Sequence, residues 1–379
     1  MQSSVLFCGA WDEGPGYPRT ASLRQGLQGA GMLVRECRLP GLGTRKQGLL
    51  EAPWRWPGFV LQQWRQRRRL GHLVRDAVRA APPACILVPY PGHSLVSAVK
   101  AASDVPVVLD LFLSAYDTVV EDRRVVAPGS LAARWLQRLD TRACAAADLV
   151  LLDTPENAAY VATLTGLPAE RFGWLPVSDP EAQQPVPWLP SRDGSLRLLF
   201  FGTGVPLHGL RTLLDAVAAA PAVHLTLVGG TEAERQHAQA TLGDRVQLEP
   251  RFVDRARLQQ LLGQSQLVAG VFGDSGKTQR VVPWKVVHAL AAGRAVLTAD
   301  TPAVCRWLEG SGALFLVPAN DAGALTRELA RLAADPGLVA QAAAAARAAY
   351  DRSFSTARLS QRWQALLQQL DRDVAAGAR

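Results

Sequence analysis

Short apolar runs alternate along this chain with longer stretches whose apolar positions recur at helical spacing. The runs Val5–Gly9, Leu33–Cys37, Cys85–Pro89, Val105–Leu109 and Leu149–Asp153 predict strands. Between them, Arg19–Ala30, Phe59–Ala80, Leu95–Ala102 and Ser130–Ala146 predict helices. Nearly continuous apolar strands separated by helices predict a parallel sheet with crossover connections. Thr154 before Pro155 reads as the cap and first residue of a further helix. Residues 176–194, rich in Pro, Gln and Ser, predict an extended connection without a core of its own. The alternation then restarts, with strands at Leu196–Gly202, His224–Val228, Val246–Leu248, Leu267–Val271, Ala295–Thr298 and Ala313–Val317. Helices follow these at His208–Ala220, Glu232–Leu242, Arg255–Gly263, Pro283–Ala292 and Ala322–Ala334, with a helical tail at Ala343–Tyr350 and Ala357–Leu370. The pattern predicts two doubly wound α/β domains, with ligands at the carboxyl ends of the strands and in a cleft between facing sheets.

Composition adds bounds to this picture. A chain of 379 residues has length for two domains, each with its own core. With 48% hydrophobic and 20% charged residues it reads as an ordinary folded protein. The net charge of +8 favours anionic partners such as phosphorylated substrates, anionic lipid or nucleic acid. Five cysteines, odd in number and scattered without metal-ligand spacing, suit a reducing compartment. The first residues read as a strand and not as a targeting segment, and no apolar run reaches the ~18 residues that a membrane span needs. A cytoplasmic protein is therefore expected, in contact with a membrane surface at most peripherally.

The densest chemistry lies in Gly273-Asp-Ser-Gly-Lys-Thr-Gln-Arg-Val-Val-Pro-Trp-Lys and the helix that it opens. Lys277, Arg280 and Lys285 gather around the start of a helix with Pro283 in its first turn and Gly293 past its end. A helix N-terminus ringed by cations suits an anion, most often a phosphate. Lys277 and Arg280 read equally as part of a solvated loop; a cation at the position of Lys285 opposes the helix dipole and so asks for a ligand. Upstream, the strand ending Gly202-Thr203-Gly204 runs through His208-Gly209 into a helix, which either cradles a phosphate or is a turn of small residues. A second strand ends at Gly229, and Phe252 closes a third, where an aromatic can lie against a base.

In this order and spacing, from Leu198 to Val317, the chain resembles the nucleotide-sugar-binding domain of GT-B glycosyltransferases, specifically retaining family 4. The resemblance implies a GT-B fold: two doubly wound Rossmann-like domains facing a central cleft, with the C-terminal helix crossing back to the first. It implies an acceptor domain over 1–178, a linker over 179–194, a donor domain over 195–350 and the returning helix over 351–379. It also implies transfer of a sugar from a nucleoside-diphosphate sugar to an acceptor hydroxyl, with retention and without an essential metal. The chain departs from the family where two glutamates usually stand eight positions apart, since Arg280 and His288 occupy those places. On this reading Lys285 and Arg280 act on the diphosphate, with Lys277 in support. Gly202, Thr203, Gly204, His208, Gly209, Gly229, Phe252 and His288 line the donor, and Asp274 accepts from sugar hydroxyls.

The first half offers acceptor-side candidates. Trp11-Asp-Glu-Gly-Pro-Gly-Tyr-Pro-Arg19 follows the first strand and presents Gly14, Gly16, Tyr17 and Arg19. Arg19 is a candidate anion contact or a surface residue. Asp110, at the end of its strand, is a candidate general base or a turn residue, and His93 is a similar candidate. The segment 54–79 combines Trp with Arg65, Arg67, Arg68 and Arg69 and has its apolar residues at helical spacing. That suits an anionic membrane surface at the inner face of the plasma membrane, or an ordinary helix with a solvated basic face. Nucleic acid is not expected, because no nucleic-acid fold signature accompanies these residues. The acceptor is expected to be a glycan, a lipid-linked or a small molecule. An epimerase or phosphorylase on the same fold, or a non-catalytic partner subunit, are the alternatives.

Overall fold

The computed structural model describes residues 3–14, 17–40, 56–179, 181, 184–191 and 193–375, with side-chain placements for these except 56–64, 374 and 375. The chain divides into two compact units, one of Met1–Val120, Val125–Pro176 and Thr356–Arg379, the other of Glu121–Arg124 and Val177–Ser355.

The first unit is built from β1 (Ser4–Gly9), α1 (Pro18–Gly29), β2 (Leu33–Arg38), α2 (Trp56–Ala80), β3 (Cys85–Val88), α3 (Val96–Lys100), β4 (Val107–Asp110), α4 (Leu131–Ala145), β5 (Leu149–Leu152), α5 (Pro155–Thr165) and β6 (Phe172–Trp174). All strands pair in parallel in the order β2-β1-β3-β4-β5-β6. The pleat divides each strand between two cores: Leu6 and Cys8 pack on one face of the sheet, Val5 and Phe7 on the other. Burial on both faces is why β3, β4 and β5 are apolar almost throughout. Thr154 caps α5 by accepting from the Asn157 amide, with Pro155 as its first residue.

The second unit runs β7 (Leu196–Gly202), α6 (Leu210–Ala218), β8 (Val223–Gly229), α7 (Glu232–Leu242), β9 (Val246–Leu248), α8 (Arg255–Gln264), β10 (Leu267–Ala269), α9 (Gly276–Arg280), α10 (Trp284–Ala291), β11 (Ala295–Ala299), α11 (Pro302–Leu308), β12 (Leu314–Val317), α12 (Ala322–Ala334) and α13 (Pro336–Ser353). Its parallel sheet has the order β12-β11-β10-β7-β8-β9. Again the pleat splits the strands, with Leu198 and Phe200 on one face and Leu199 and Phe201 on the other. The Pro-rich stretch before β7 has no core of its own but is pinned to this unit by Arg294. That guanidinium is fully buried and donates to the carbonyls of Val186, Pro187, Leu262 and Ser265. A buried cation is tolerable there because its donors are met.

The last helix, α14 (Thr356–Ala375), belongs to the first unit. Leu359, Trp363, Leu366 and Leu370 recur on one face and are buried together with Leu23 and Leu27 of α1.

Four local details differ from the sequence pattern. Pro283 is the residue before α10, with φ −64 and ψ 140, so the helix begins at Trp284. The Lys277–Arg280 stretch is a short helix capped by Ser275, which accepts from the Thr278 amide, and not an open loop. β6 and α11 had too few apolar positions to stand out, three residues and seven respectively.

Candidate active site

In the second sheet β7 and β10 are neighbours whose connections leave in opposite directions, toward β8 and β11. The crevice at the carboxyl ends of such a strand pair is where open α/β sheets bind ligands. The two exit segments are tied together there: Phe272 N donates to His208 O at 3.0 Å and Gly273 N to Leu207 O at 3.1 Å. Gly202 ends β7 against Lys285 and His208. A Cβ at this position would stand 2.9 Å from Lys285 Nζ and 2.7 Å from His208 Cε1, so only glycine lets the lysine reach the strand end. Gly229 ends β8 beside it, with φ +92 and a notional Cβ 2.0 Å from Gly202 O. These glycines are required by the backbone packing of the crevice itself.

Lys285 is the unusual group. Its side chain is 95% buried, at 5% exposure, in the first turn of α10. Nζ lies 3.8 Å from the centre of the Phe200 ring and has no hydrogen-bond partner among the described residues. Burial pushes its pKa well below the ordinary lysine value. Burial and then the neighbouring Lys285 push His208 down to about 2, so this imidazole is neutral. A buried ammonium without a counter-ion, facing the positive end of a helix, is costly unless an anion completes the site.

One turn along α10, His288 Nδ1 and Asp179 Oδ2 are 2.7 Å apart and both side chains are buried. Burial alone would raise the Asp179 pKa, but His288, and then Arg255, hold it below the usual carboxylate range. Trp284 stacks on His288 at 4.7 Å between ring centres. His288 Nε2 and Trp284 Nε1 are buried without hydrogen-bond partners among the described residues. Asp179 lies in the stretch read as a linker, Trp284 was an unremarked helix residue and Phe200 reads as core. None of the three carries a local sequence signal.

The other donor-side candidates divide. His208, Gly202 and Lys285 come together. Thr203 and Asp274 are exposed, and Asp274 accepts from Asn320 Nδ2 at 3.1 Å. Gly204 and Gly209 shape the turn between β7 and α6, and Phe252 is 81% exposed after β9. Lys277 is buried in α9. Arg280 folds back over Gly276 and lies 3.5 Å from Glu121 Oε2, so it is engaged by a carboxylate and is not shown beside Lys285.

In the first unit, two expectations need correction. Arg19 and Asp110 are turned on each other: Arg19 Nη2 donates to Asp110 Oδ1 at 2.7 Å and Nε at 3.0 Å, and Arg19 also donates to the carbonyls of Leu152 and Leu175. Arg19 is 5% exposed and Asp110 fully buried. Neither the anion contact nor the general base is open to a ligand, because the charges were consumed in joining α1 to the ends of β4 and β5. His93 Nε2 lies 3.1 Å from Asp140 Oδ1, with Tyr90 edge-on to it at 6.2 Å. Burial would raise the Asp140 pKa, but His93, Ser114 and the Tyr116 amide hold it low. Gly14 and Tyr17 are exposed after β1, Tyr17 at 56%. Gly16 lies outside the described residues. Residues 54 and 55 of the basic segment do so too, while Arg65, Arg67, Arg68 and Arg69 are exposed along α2. Among the described residues, no group of three or more His, Cys, Asp or Glu could hold a metal, and no helix is long and apolar enough to cross a membrane.

Residues 195–335 match the family model described as Glycosyl transferases group 1. No curated protein sequence matches the chain. Among solved structures, the chain is similar to sucrose-phosphate synthase from Thermosynechococcus elongatus, at 16% identity over 98% of this chain and 99% of that one, with a TM-score of 0.67. It is similar to Anabaena HepE in complex with UDP and glucose, at 16% identity over 97% and 100%, TM-score 0.62. A glycosyltransferase from Rickettsia africae aligns at 10% identity over 97% and 98%, TM-score 0.62. These likenesses show the fold: two parallel six-stranded sheets flanked by helices, the GT-B architecture.

Proposed function

We propose, on the premise that this chain is a glycosyltransferase whose residues 195–335 are a group 1 domain, that Lys285 grips the diphosphate of its nucleotide-sugar donor. The observation that carries this reading is the buried, unpartnered Nζ of Lys285 against Gly202 at the carboxyl end of β7. The similar Anabaena structure holds UDP and glucose, which agrees with a nucleoside diphosphate as the anion.

The chemistry follows from charge. As the bond between the anomeric carbon and the diphosphate oxygen breaks, negative charge grows on the leaving group. Lys285 is buried in the first turn of α10, so its Nζ, together with the positive end of that helix, stabilises that charge more in the transition state than in the ground state. The acceptor hydroxyl forms the new bond to the anomeric carbon and gives its proton to the leaving diphosphate oxygen. Neutral His208 adds no competing positive charge beside Lys285. His288, held by Asp179, and Trp284 offer ring nitrogens to the donor's polar groups. Asp274 is assigned to sugar hydroxyls. Retention at the anomeric carbon, without a metal, is part of the proposal and is supported by the family resemblance. A glycan or lipid-linked acceptor is assigned to Gly14, Tyr17 and His93 in the first unit, and the exposed arginines of α2 to an anionic membrane surface.

A thermal-shift panel of nucleoside diphosphates and nucleotide sugars tests the reading, because a ligand of the folded state raises the midpoint by mass action. One base series is expected to stabilise the protein, with turnover of its sugar conjugate. A panel in which no nucleoside diphosphate or nucleotide sugar shifts the midpoint overturns it. Binding without transfer or hydrolysis would assign the chain to the non-catalytic alternative.

A further inference from the structure

Two cysteines meet at the edge of the first sheet. Strand order puts β2 at that edge with β1 beside it, and the two pair in parallel with Cys8 opposite Cys37. Register partners on neighbouring strands point to the same face, and Cys8 lies in the core on that face with Cys37 packed against it. Cys8 is fully buried, while Cys37 is partly exposed, with Sγ 3.7 Å from the carbonyl oxygen of Leu73 in α2. Cys85 of β3 stands opposite Val5 and packs on the other face of the sheet. Neighbouring strands run about 4.8 Å apart, inside the window of about 4.4–6.8 Å that a disulfide needs between Cα atoms. The backbone therefore need not move for the two sulfurs to bond.

The two thiols are unlike. The Cys8 thiol, hydrogen-bonded to the Cys37 sulfur, holds Cys37 down at about 7 against the effect of burial, and Arg35 on the same strand adds to this. The Cys37 sulfur and burial push Cys8 up. A thiolate at a partly exposed edge is a nucleophile toward small disulfides, and a buried thiol beside it is placed to resolve the product. We propose that Cys37 and Cys8 form a reversible thiol–disulfide site, with Cys37 the attacking residue and Cys8 the resolving one. The oxidant is a low-molecular-weight disulfide of the glutathione class. The Cys37 thiolate bonds to one of its sulfurs, and the other leaves as a thiolate. The Cys8 sulfur then displaces the first from Cys37, and the Cys8 proton passes to that departing sulfur. Two electrons move from the cysteine pair to the small disulfide, which ends as two thiols once the first leaving thiolate takes a proton from water. A transient bond of this kind suits a reducing compartment. Arg38, next after Cys37, donates to Glu13 Oε2 and to the carbonyl of Trp11, so the bond would fix the base of the loop that follows β1. The inference stands apart from the glycosyl-transfer reading, because it rests on β1 and β2 alone.

The test exposes the reduced full chain to glutathione disulfide at neutral pH without denaturant, quenches it in acid and maps its peptides by mass spectrometry. The expected result is a linked pair of peptides holding Cys8 and Cys37, lost again on addition of dithiothreitol. In Cys8→Ala, which keeps the attacking thiol, the reaction should stop at a glutathione adduct on Cys37. In Cys37→Ser neither the link nor an adduct on Cys8 should form. In the reduced wild type, iodoacetamide should label Cys37 at least about tenfold faster than Cys305, which is also partly exposed but is pushed up to about 11 by its hydrogen bond to Asp300. The link and the labelling rates are read on the wild type, so they stand even if a variant's thermal midpoint shows that it unfolds. Wild type that keeps both thiols free under these conditions overturns the inference, as does a link from Cys37 to another cysteine. Labelling of Cys37 no faster than of Cys305 overturns it as well.

Discussion

Lys285 concentrates the account at the residue scale. Burial lowers its pKa, so the folded value lies below that of the unfolded chain. The sign follows: at a pH above the unfolded value, ~10.4, both states are neutral and the site costs nothing. As pH falls toward the folded value, the unfolded chain takes the proton first and the native state loses relative stability. Below the folded value the penalty is constant. Lys285→Met, which keeps volume and removes the charge, should therefore stabilise the ligand-free protein near neutral pH, and the gain should shrink toward pH ~10. Denaturant midpoints of the two proteins across that range check this; a gain that is absent at neutral pH contradicts it. A bound diphosphate reverses the balance by favouring the ammonium, so binding should take up protons in the range where the ligand-free lysine is neutral. Calorimetry in two buffers of different ionisation enthalpy, at a series of pH values below ~10, measures that uptake. Enthalpies that do not depend on the buffer would contradict it.

At the element scale, α14 completes the first unit's core although it is the last helix in the chain. Trp363 is 1% exposed and packs with Leu359 and Leu366 among the residues of α1 and the sheet. Trp363→Ala should cost about 3–5 kcal/mol of stability, read as a lowered denaturant midpoint, because the cavity cannot be filled by the short apolar neighbours. A loss under 1 kcal/mol would mean that α14 is not integral to this core. The helices α9 and α10 make a different point. Each is short, and their cations do different jobs: Lys285 faces the end of β7, while Arg280 meets Glu121. Charge and helical spacing alone placed them in one cluster. Which cation reaches the crevice depends on Gly202 of a distant strand, and that is a tertiary fact.

For the whole molecule, the strands were legible because parallel strands buried on both faces need nearly continuous apolar runs, and β7 matches the sequence pattern residue for residue. The helices α7 and α12 match their predicted bounds, and the structure shows a capping box of Thr231 with Glu234 at the first and Asp321 capping the second. β6 and α11 were not: Gly173 interrupts the aromatic pair of β6, and α11 spans only seven residues, under two helical turns. The site was legible in part. Lys285, Gly202 and His208 could be named because a glycine loop and a cation at a helix start have a recognisable chemistry. Asp179 could not, because a carboxylate in a Pro-rich connection gives no hint that it will meet an imidazole 109 residues away. Arg19 and Asp110 misled for a related reason: a buried ion pair and a catalytic pair draw on the same residue types, and only burial tells them apart.

The central claim is that Lys285 holds the donor's diphosphate, and calorimetry on wild type and Lys285→Ala tests it most directly. The titrant is UDP or whichever nucleoside diphosphate gives the largest thermal shift. The account expects measurable binding to the wild type and affinity at least ~10-fold weaker, or about 1.4 kcal/mol, for the variant at equal fold stability. Equal affinity for the two proteins would contradict it.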